Sequence, residues 1–334
     1  MPVRNPDSAS RRRLLLAGAA MGTTMATPWI VQAQPAGWPL RPIRLVVPNA
    51  PGSSVDTIGR IVGNALTPLL GQPLVIENRS GASGALGMEA GKMSAPDGYT
   101  LLAASSSSTT VAPLLQKAIA YDPLKDFDYL SLLALLPNVL VCNTSLAATT
   151  VGEFIAWAKA QGGKVNMASA GPGSVSHLAG AAFAAVAGFE TLHVPYKGGS
   201  QSVASVVSGE THWTLTPAPA AMGLVKGGRL RALGHSMAAG SQPLGSIPAI
   251  AETLRGFEFS SWVGLLAPSG LPAPVADFVR RSVSRVVAAG TLRESFAMHG
   301  AVATDSTGDA FHAFVARDIE FTRKAIRLAG VQAE

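Results

Sequence analysis

Short apolar runs alternate with helically spaced stretches twice along this chain, and no feature limits its fold more. Residues 43–47 form an apolar run that closes at Pro48, as a buried parallel strand would. Residues 58–70 show helical spacing and stop at Gly71. Leu74-Val75-Ile76 is the next strand, 84–93 the next helix, and Pro96-Asp97-Gly98 turns into a strand at 99–103. Such an order needs crossovers that lay helices over a mostly parallel sheet. Apolar runs at 130–136 and 139–141 flank Pro137, which is read as the crossing into a second lobe. There helices at 151–160, 175–187 and 200–207 alternate with strands at 165–168, 191–194 and 211–215. A strand at 230–234 follows, then a returning strand at 261–267 and closing helices at 278–288 and 311–328. The expectation is an α/β protein with 34–137 and 260–334 as lobe 1 and 138–259 as lobe 2.

Ahead of this frame, Arg11-Arg12-Arg13 precede an apolar segment, as in a twin-arginine export signal. Gly18, Gly22, Thr23, Thr24, Thr27 and Pro28 interrupt that segment short of the roughly 20 residues a membrane span needs. Val31-Gln32-Ala33 supplies small residues for a peptidase, so 1–33 reads as a signal cleaved after about Ala33, giving a periplasmic protein. The only cysteine, Cys142, lies far beyond it in an apolar run. It reads as a buried small hydrophobe, and it excludes an intrachain disulfide and a cysteine-based metal site.

Half of the formal charge of +6 comes from Arg4, Arg11, Arg12, Arg13 and Asp7 within that signal. The remainder is weakly basic and lacks clustered Lys/Arg interleaved with aromatics, so no nucleic-acid partner is expected. His177, His193, His212 and His235 show no metal-ligand spacing, and no metal or cofactor is expected.

Two loops could carry chemistry. The first runs Pro48-Asn49-Ala50-Pro51-Gly52-Ser53-Ser54-Val55-Asp56, after a strand and ahead of a helix. The second runs Ser169-Ala170-Gly171-Pro172-Gly173-Ser174-Val175-Ser176-His177, in the same setting in the second lobe. At a helix start the first backbone N–H groups lack partners and the dipole favours an anion. One such loop is ordinary capping, but one per lobe suggests a clamp for a small anion. Gly81, Gly84 and Gly87 do not form a dinucleotide fingerprint. Ser174 and His177 lack the Gly-x-Ser-x-Gly setting of a hydrolase nucleophile, so no catalysis is expected.

Longer motifs add a resemblance. Trp38-Pro39-Leu40-Arg41-Pro42-Ile43, Ala50-Pro51-Gly52 and Asp56 open a series. Val75-Ile76-Glu77-Asn78-Arg79, Pro96-Asp97-Gly98-Tyr99-Thr100 and Tyr121-Asp122-Pro123-Leu124-Lys125-Asp126-Phe127 continue it. His193-Val194-Pro195-Tyr196-Lys197-Gly198, Gly228-Arg229-Leu230-Arg231 and Trp262-Val263-Gly264-Leu265-Leu266 complete it. The set resembles the Bug-type receptors, extracytoplasmic solute-binding proteins of tripartite tricarboxylate transporters. The resemblance implies a type II periplasmic-binding-protein fold and a carboxylate ligand held in the interlobe cleft. It also implies the transporter's membrane components as partner.

The chain departs from the family at three places: Asn49 replaces a common aromatic, Ser53 replaces the second Gly of Pro-Gly-Gly, and His212 stands where an Asp is frequent. The candidate ligand residues are therefore Asn49, Gly52, Ser53, Ser54, Asp56, Ser107, Ser169, Gly171, Gly173, Ser174, His177, Tyr196 and His212. A monomeric receptor is expected, with a signalling adaptor for a sensor's external domain as the alternative.

Overall fold

The computed structural model describes residues 37–332, so the export signal read at 1–33 lies outside the described residues. The first lobe opens with β1 (Ile43–Val47), α1 (Ser54–Leu70), β2 (Leu74–Asn78), α2 (Ala85–Lys92) and β3 (Thr100–Ser105). A π-helical turn (Ser107–Val111) leads into the short α3 (Ala112–Leu115). The long β4 (Phe127–Asn143) then crosses to the second lobe. That lobe holds α4 (Val151–Ala160), β5 (Asn166–Ser169), α5 (Val175–Ala187), β6 (Leu192–Pro195) and α6 (Gly199–Ser208). It continues with β7 (Trp213–Pro217), α7 (Met222–Lys226) and β8 (Leu230–His235). β9 (Ser260–Pro268) returns, followed by α8 (Ala273–Ala288), α9 (Thr291–Met298), β10 (Val302–Thr307) and α10 (Gly308–Ala329).

Local chemistry sets these bounds. Ser53 caps α1 by accepting from Asp56 N–H at 3.3 Å, and Gly71 ends it in the left-handed region at φ 72°. Between the caps, Ile58, Val62, Leu66 and Leu70 are fully buried at four-residue spacing. In β1, Ile43, Leu45, Val46 and Val47 are all fully buried, as a strand covered on both faces must be. Gly81, Gly84 and Gly87 serve packing: a Cβ at Gly87 would lie 2.6 Å from Pro48 Cα, so α2 reaches the end of β1 only through glycine.

β1 pairs in parallel with β2 and β3, and β5 with β6 and β7. The crossing strands make the sheet mixed rather than purely parallel. β4 leaves the first lobe as β9 enters it, so the two run antiparallel, and β4 also opposes β7, β8 and β10. The two apolar runs around Pro137 are one strand of 17 residues. Pro137 pairs with Ser260, and Asn138 pairs with Pro217. Proline cannot donate to a ladder, and it stands where β4 exchanges one partner for another. Buried Asn138 pins this crossing by donating from Nδ2 to Phe259 O at 2.6 Å, while Ser236 Oγ accepts from Asn138 N–H at 3.0 Å.

Helices cover both faces of each lobe. α1 and α8 cover one face of the first lobe, and α2 and α10 the other. An aromatic group of Phe154, Phe183, Phe189 and Trp213 fills the second lobe, and Cys142 is buried beside it. Burial pushes the Cys142 thiol up to about 11. α10 does not stay on one lobe. Phe311 and Val315 pack on the first, whereas Ala325 joins the core of the second, so the segment 260–334 spans both. Among the described residues, no helix is long and apolar enough to cross a membrane.

Candidate ligand site

A cavity of about 40 Å³ lies between the lobes. Asn49, Ser53 and Ser54 reach it from the start of α1, and Ser105, Ser106 and Ser107 from the end of β3. The second lobe contributes Ala170, Val175 and Ser176 around the start of α5, Gly199 at the start of α6, and Thr216 and Pro217 at the end of β7. Leu136, Ser261 and Trp262 close it on the side of the crossing strands. Three helices therefore begin at one cavity, and each start carries partial positive charge. Among the described residues, no Lys, Arg, His, Asp or Glu lines it. Ser105 Oγ and Asn49 Oδ1 are buried without a hydrogen-bond partner.

Asp56 shapes the first loop from below. Its carboxylate accepts from Gly52 N–H at 2.9 Å, Asn78 Nδ2 at 2.8 Å and Arg60 Nε at 3.0 Å. Burial alone would raise the Asp56 carboxyl; the hydrogen bonds from Arg60, Gly52 and Asn78 outweigh it and hold it below the usual carboxylate range. Gly52 takes φ 75°, the left-handed conformation that glycine adopts without strain.

The second loop is a hydroxyl network. Ser174 caps α5 by accepting from His177 N–H at 3.2 Å, and Ser176 Oγ accepts from Ala170 N–H at 2.9 Å. Ser169 is fully buried; its Oγ accepts from Gly171 N–H at 3.1 Å and lies 2.6 Å from His193 Nε2. The His193 ring stacks on His177 with centroids 3.9 Å apart. Burial, helped by the neighbouring His193, pushes the His177 imidazole down to about 4.

The lobes touch directly around the cavity. Ser54 Oγ donates to Pro217 O at 3.2 Å, Ser200 Oγ to Pro51 O at 3.3 Å, and Ser83 Oγ to Pro172 O. Val175 N–H, at the start of α5, donates to Ser107 Oγ across the cleft at 3.0 Å. Each of the three serine bonds ends on a proline carbonyl of the opposite lobe, so the cleft is closed.

Of the residues expected from sequence, Asn49, Ser53, Ser54 and Ser107 line this cavity. Asp56, Ser169, Ser174 and His177 hold the two loops by hydrogen bonds, and Gly52 and Gly173 face the opposite lobe, toward Ser200 and Gln116 respectively. Gly171 and Tyr196 border a neighbouring crevice, about 480 Å³ in volume, that shares Ala170 with the cavity as a wall. His212 is not brought to the cleft. It precedes β7, whose far end lines the cavity; its Nδ1 accepts from Asn166 N–H at 2.8 Å and its ring packs on Trp157. A family Asp at that position suggested a ligand contact, but the five residues of β7 separate the two ends. The loop reading missed Thr216, Pro217, Ser261 and Trp262, although Trp262 stood within a quoted motif.

Two α/β lobes joined by crossing strands, closed on a cavity where helices begin, define a solute-binding protein of the type II periplasmic-binding-protein fold. Solved structures agree. A protein of R. palustris solved with adipate superposes with a TM-score of 0.87 at 28% identity, covering 89% of this chain and all of that one. The periplasmic binding protein BugD superposes with a TM-score of 0.84 at 26% identity, again over 89% of this chain and all of that one. Protein BugT of Bordetella pertussis (strain Tohama I) is 32% identical over 94% of this chain and 97% of its own length. Residues 58–330 match the model of the tripartite tricarboxylate transporter family receptor, and the chain belongs to that family.

Proposed function

We propose that this chain is an exported receptor that captures a small carboxylate and presents it to the membrane components of a tripartite transporter. One observation carries the reading: the helix starts of both lobes converge on a single cavity lined by hydroxyls and free of charged side chains. A carboxylate placed there takes donors from backbone N–H groups and serines, and Val55, Val175, Leu136 and Trp262 suit a short hydrocarbon body. An amino acid suits it poorly, because its ammonium would find no carboxylate; Asp56 already spends its oxygens on Gly52, Asn78 and Arg60.

Capture works by closure of the lobes, with no bond made or broken. The hydrogen-bonded pair Ser169–His193 joins a buried serine to a half-buried histidine, and the serine supports Gly171 rather than lining the cavity. A relative's adipate ligand and the family's transporter support the carboxylate and the partner, respectively.

The test is thermal unfolding with adipate, malate, citrate, benzoate and nicotinate, and with amino acids as controls. A ligand of the native state raises the midpoint in proportion to the logarithm of its concentration. At least one acid should do so while the amino acids do not. Shifts only with amino acids, or none with any acid at millimolar concentration, would overturn the reading.

A further inference from the structure

We propose that Asp318 of α10 is a positioning residue of the ligand site, holding the Trp262 indole as the wall of the cavity on the side of the crossing strands. The proposal rests on the reading of that cavity as the ligand site. Trp262 is 1% exposed, stands on β9 opposite Leu135, and lines the cavity. Its indole Nε1–H donates to Asp318 Oδ2 at 2.8 Å. Phe311 meets the ring edge-on at 5.4 Å and 90°, and Phe314 at 6.1 Å and 78°.

Positions 311, 314 and 318 share one face of α10, so one helix supplies all three contacts. The two phenyl rings set the tilt of the indole. A tilted plane is still free to turn, and the bond to a carboxylate removes that freedom, being stronger than a neutral one. Asp318 and Thr110 are also neighbours, and the π-helical turn that carries Thr110 follows directly on Ser105 and Ser106 of the cavity. A single carboxyl thus sits behind two walls of the site without touching its interior. The same helix ends in the core of the second lobe at Ala325, so the element that orients the wall is anchored on both sides of the cleft.

The test uses protein labelled with ¹⁵N-tryptophan, in which Trp262→Phe identifies the Trp262 indole resonance. Asp318→Leu keeps the volume but removes the acceptor; Asp318→Asn keeps a carbonyl that accepts the indole N–H. In Asp318→Leu the resonance should move and its solvent exchange should rise by about tenfold or more, whereas Asp318→Asn should stay within about threefold of the wild type. Adipate and malate serve as binding probes: whichever binds the wild type should bind Asp318→Leu about tenfold more weakly and Asp318→Asn nearly normally. Asp318→Ala replaces Asp318→Leu if the latter does not fold. A folded variant lacking the acceptor, with the resonance unmoved or with binding unchanged, overturns the proposal. Should neither acid bind the wild type, the resonance alone decides the positioning, and it is the carboxylate reading that has failed.

Discussion

Removing the hydroxyls of Ser83 and Ser200 should open the cleft without touching the ligand's own contacts. Each donates across the lobes to a proline carbonyl, Pro172 and Pro51 respectively, and neither lines the cavity. A neutral hydrogen bond contributes about 0.5–1.5 kcal/mol net, because the freed groups find water once the lobes part. The Ser200 bond is solvent-exposed and belongs at the low end of that range. The Ser83→Ala/Ser200→Ala pair should therefore shift the closed–open balance by about 1–2 kcal/mol, or about 5–30-fold. A ligand that binds only the closed form has an observed Kd equal to the intrinsic value divided by the closed fraction. If the open form already dominates, the whole factor passes into Kd. If the closed form dominates, part of the shift is absorbed before Kd responds.

Small-angle scattering separates those cases, and calorimetry with the best acid from the unfolding screen measures the second quantity. The variant should show a larger radius of gyration without ligand, a weaker Kd, and the wild-type profile at saturation. Closure itself is then intact but less favoured. Unchanged scattering together with an unchanged Kd would refute the idea that serine–proline bonds set the closed state. Where the unliganded wild type is closed, a weaker Kd with an unchanged unliganded profile would refute the claim that these two hydroxyls act only through closure; where it is open, that result is the expected one.

His177 should make stability fall with acid. Its folded value of about 4 lies below the ordinary histidine value of 6.5, so between those pH values the unfolded chain binds the extra proton. Its contribution is fully present above about pH 6.5 and lost as pH falls through 4; the drop from 6.5 to about 4 makes that loss about 3 kcal/mol. Urea titrations of wild type and His177→Gln across this window check it: the slope should flatten in the variant, and equal slopes would refute the assignment. Export should depend on Arg11 and Arg12. Replacing both with lysine should leave the precursor in the cytoplasm, as fractionation would show, and unchanged delivery of a processed chain would refute the twin-arginine reading.

Elements with their own stop signals were legible in the sequence. α5 occupies the span its pattern predicts, because Ser174 caps one end and Gly188 the other at φ 71°. α1 starts earlier than its apolar spacing suggests, since its first turn holds Ser54 and Asp56, which face the loop chemistry. Residues 107–115, to which the pattern assigns no element, wind into a π-helical turn and α3; hydroxyl side chains favour either state, and tertiary contacts decide. The antiparallel pairing of β9 and β10 with β4 joins residues more than a hundred positions apart and leaves no local trace.

The site divides the same way. Helix-start loops announce themselves, and Asn49, Ser53 and Ser54 of one such loop line the cavity. Which members of a loop face the cavity is a matter of side-chain direction, which the sequence does not carry: Asp56 and Ser169 turn to Gly52 and Gly171 of their own loops. His212 lies away from the cavity for a different reason. A strand rises about 3.3 Å per residue, so four positions carry the chain about 13 Å from His212 to Thr216. Thr216 meets the cavity and His212 is at the other end of the same strand, tied to Asn166. The proposed preference for an acid over an amino acid therefore draws nothing from His212. It rests on a lining that holds no charged side chain, where helix starts and hydroxyls attract one negative charge and nothing neutralises a positive one.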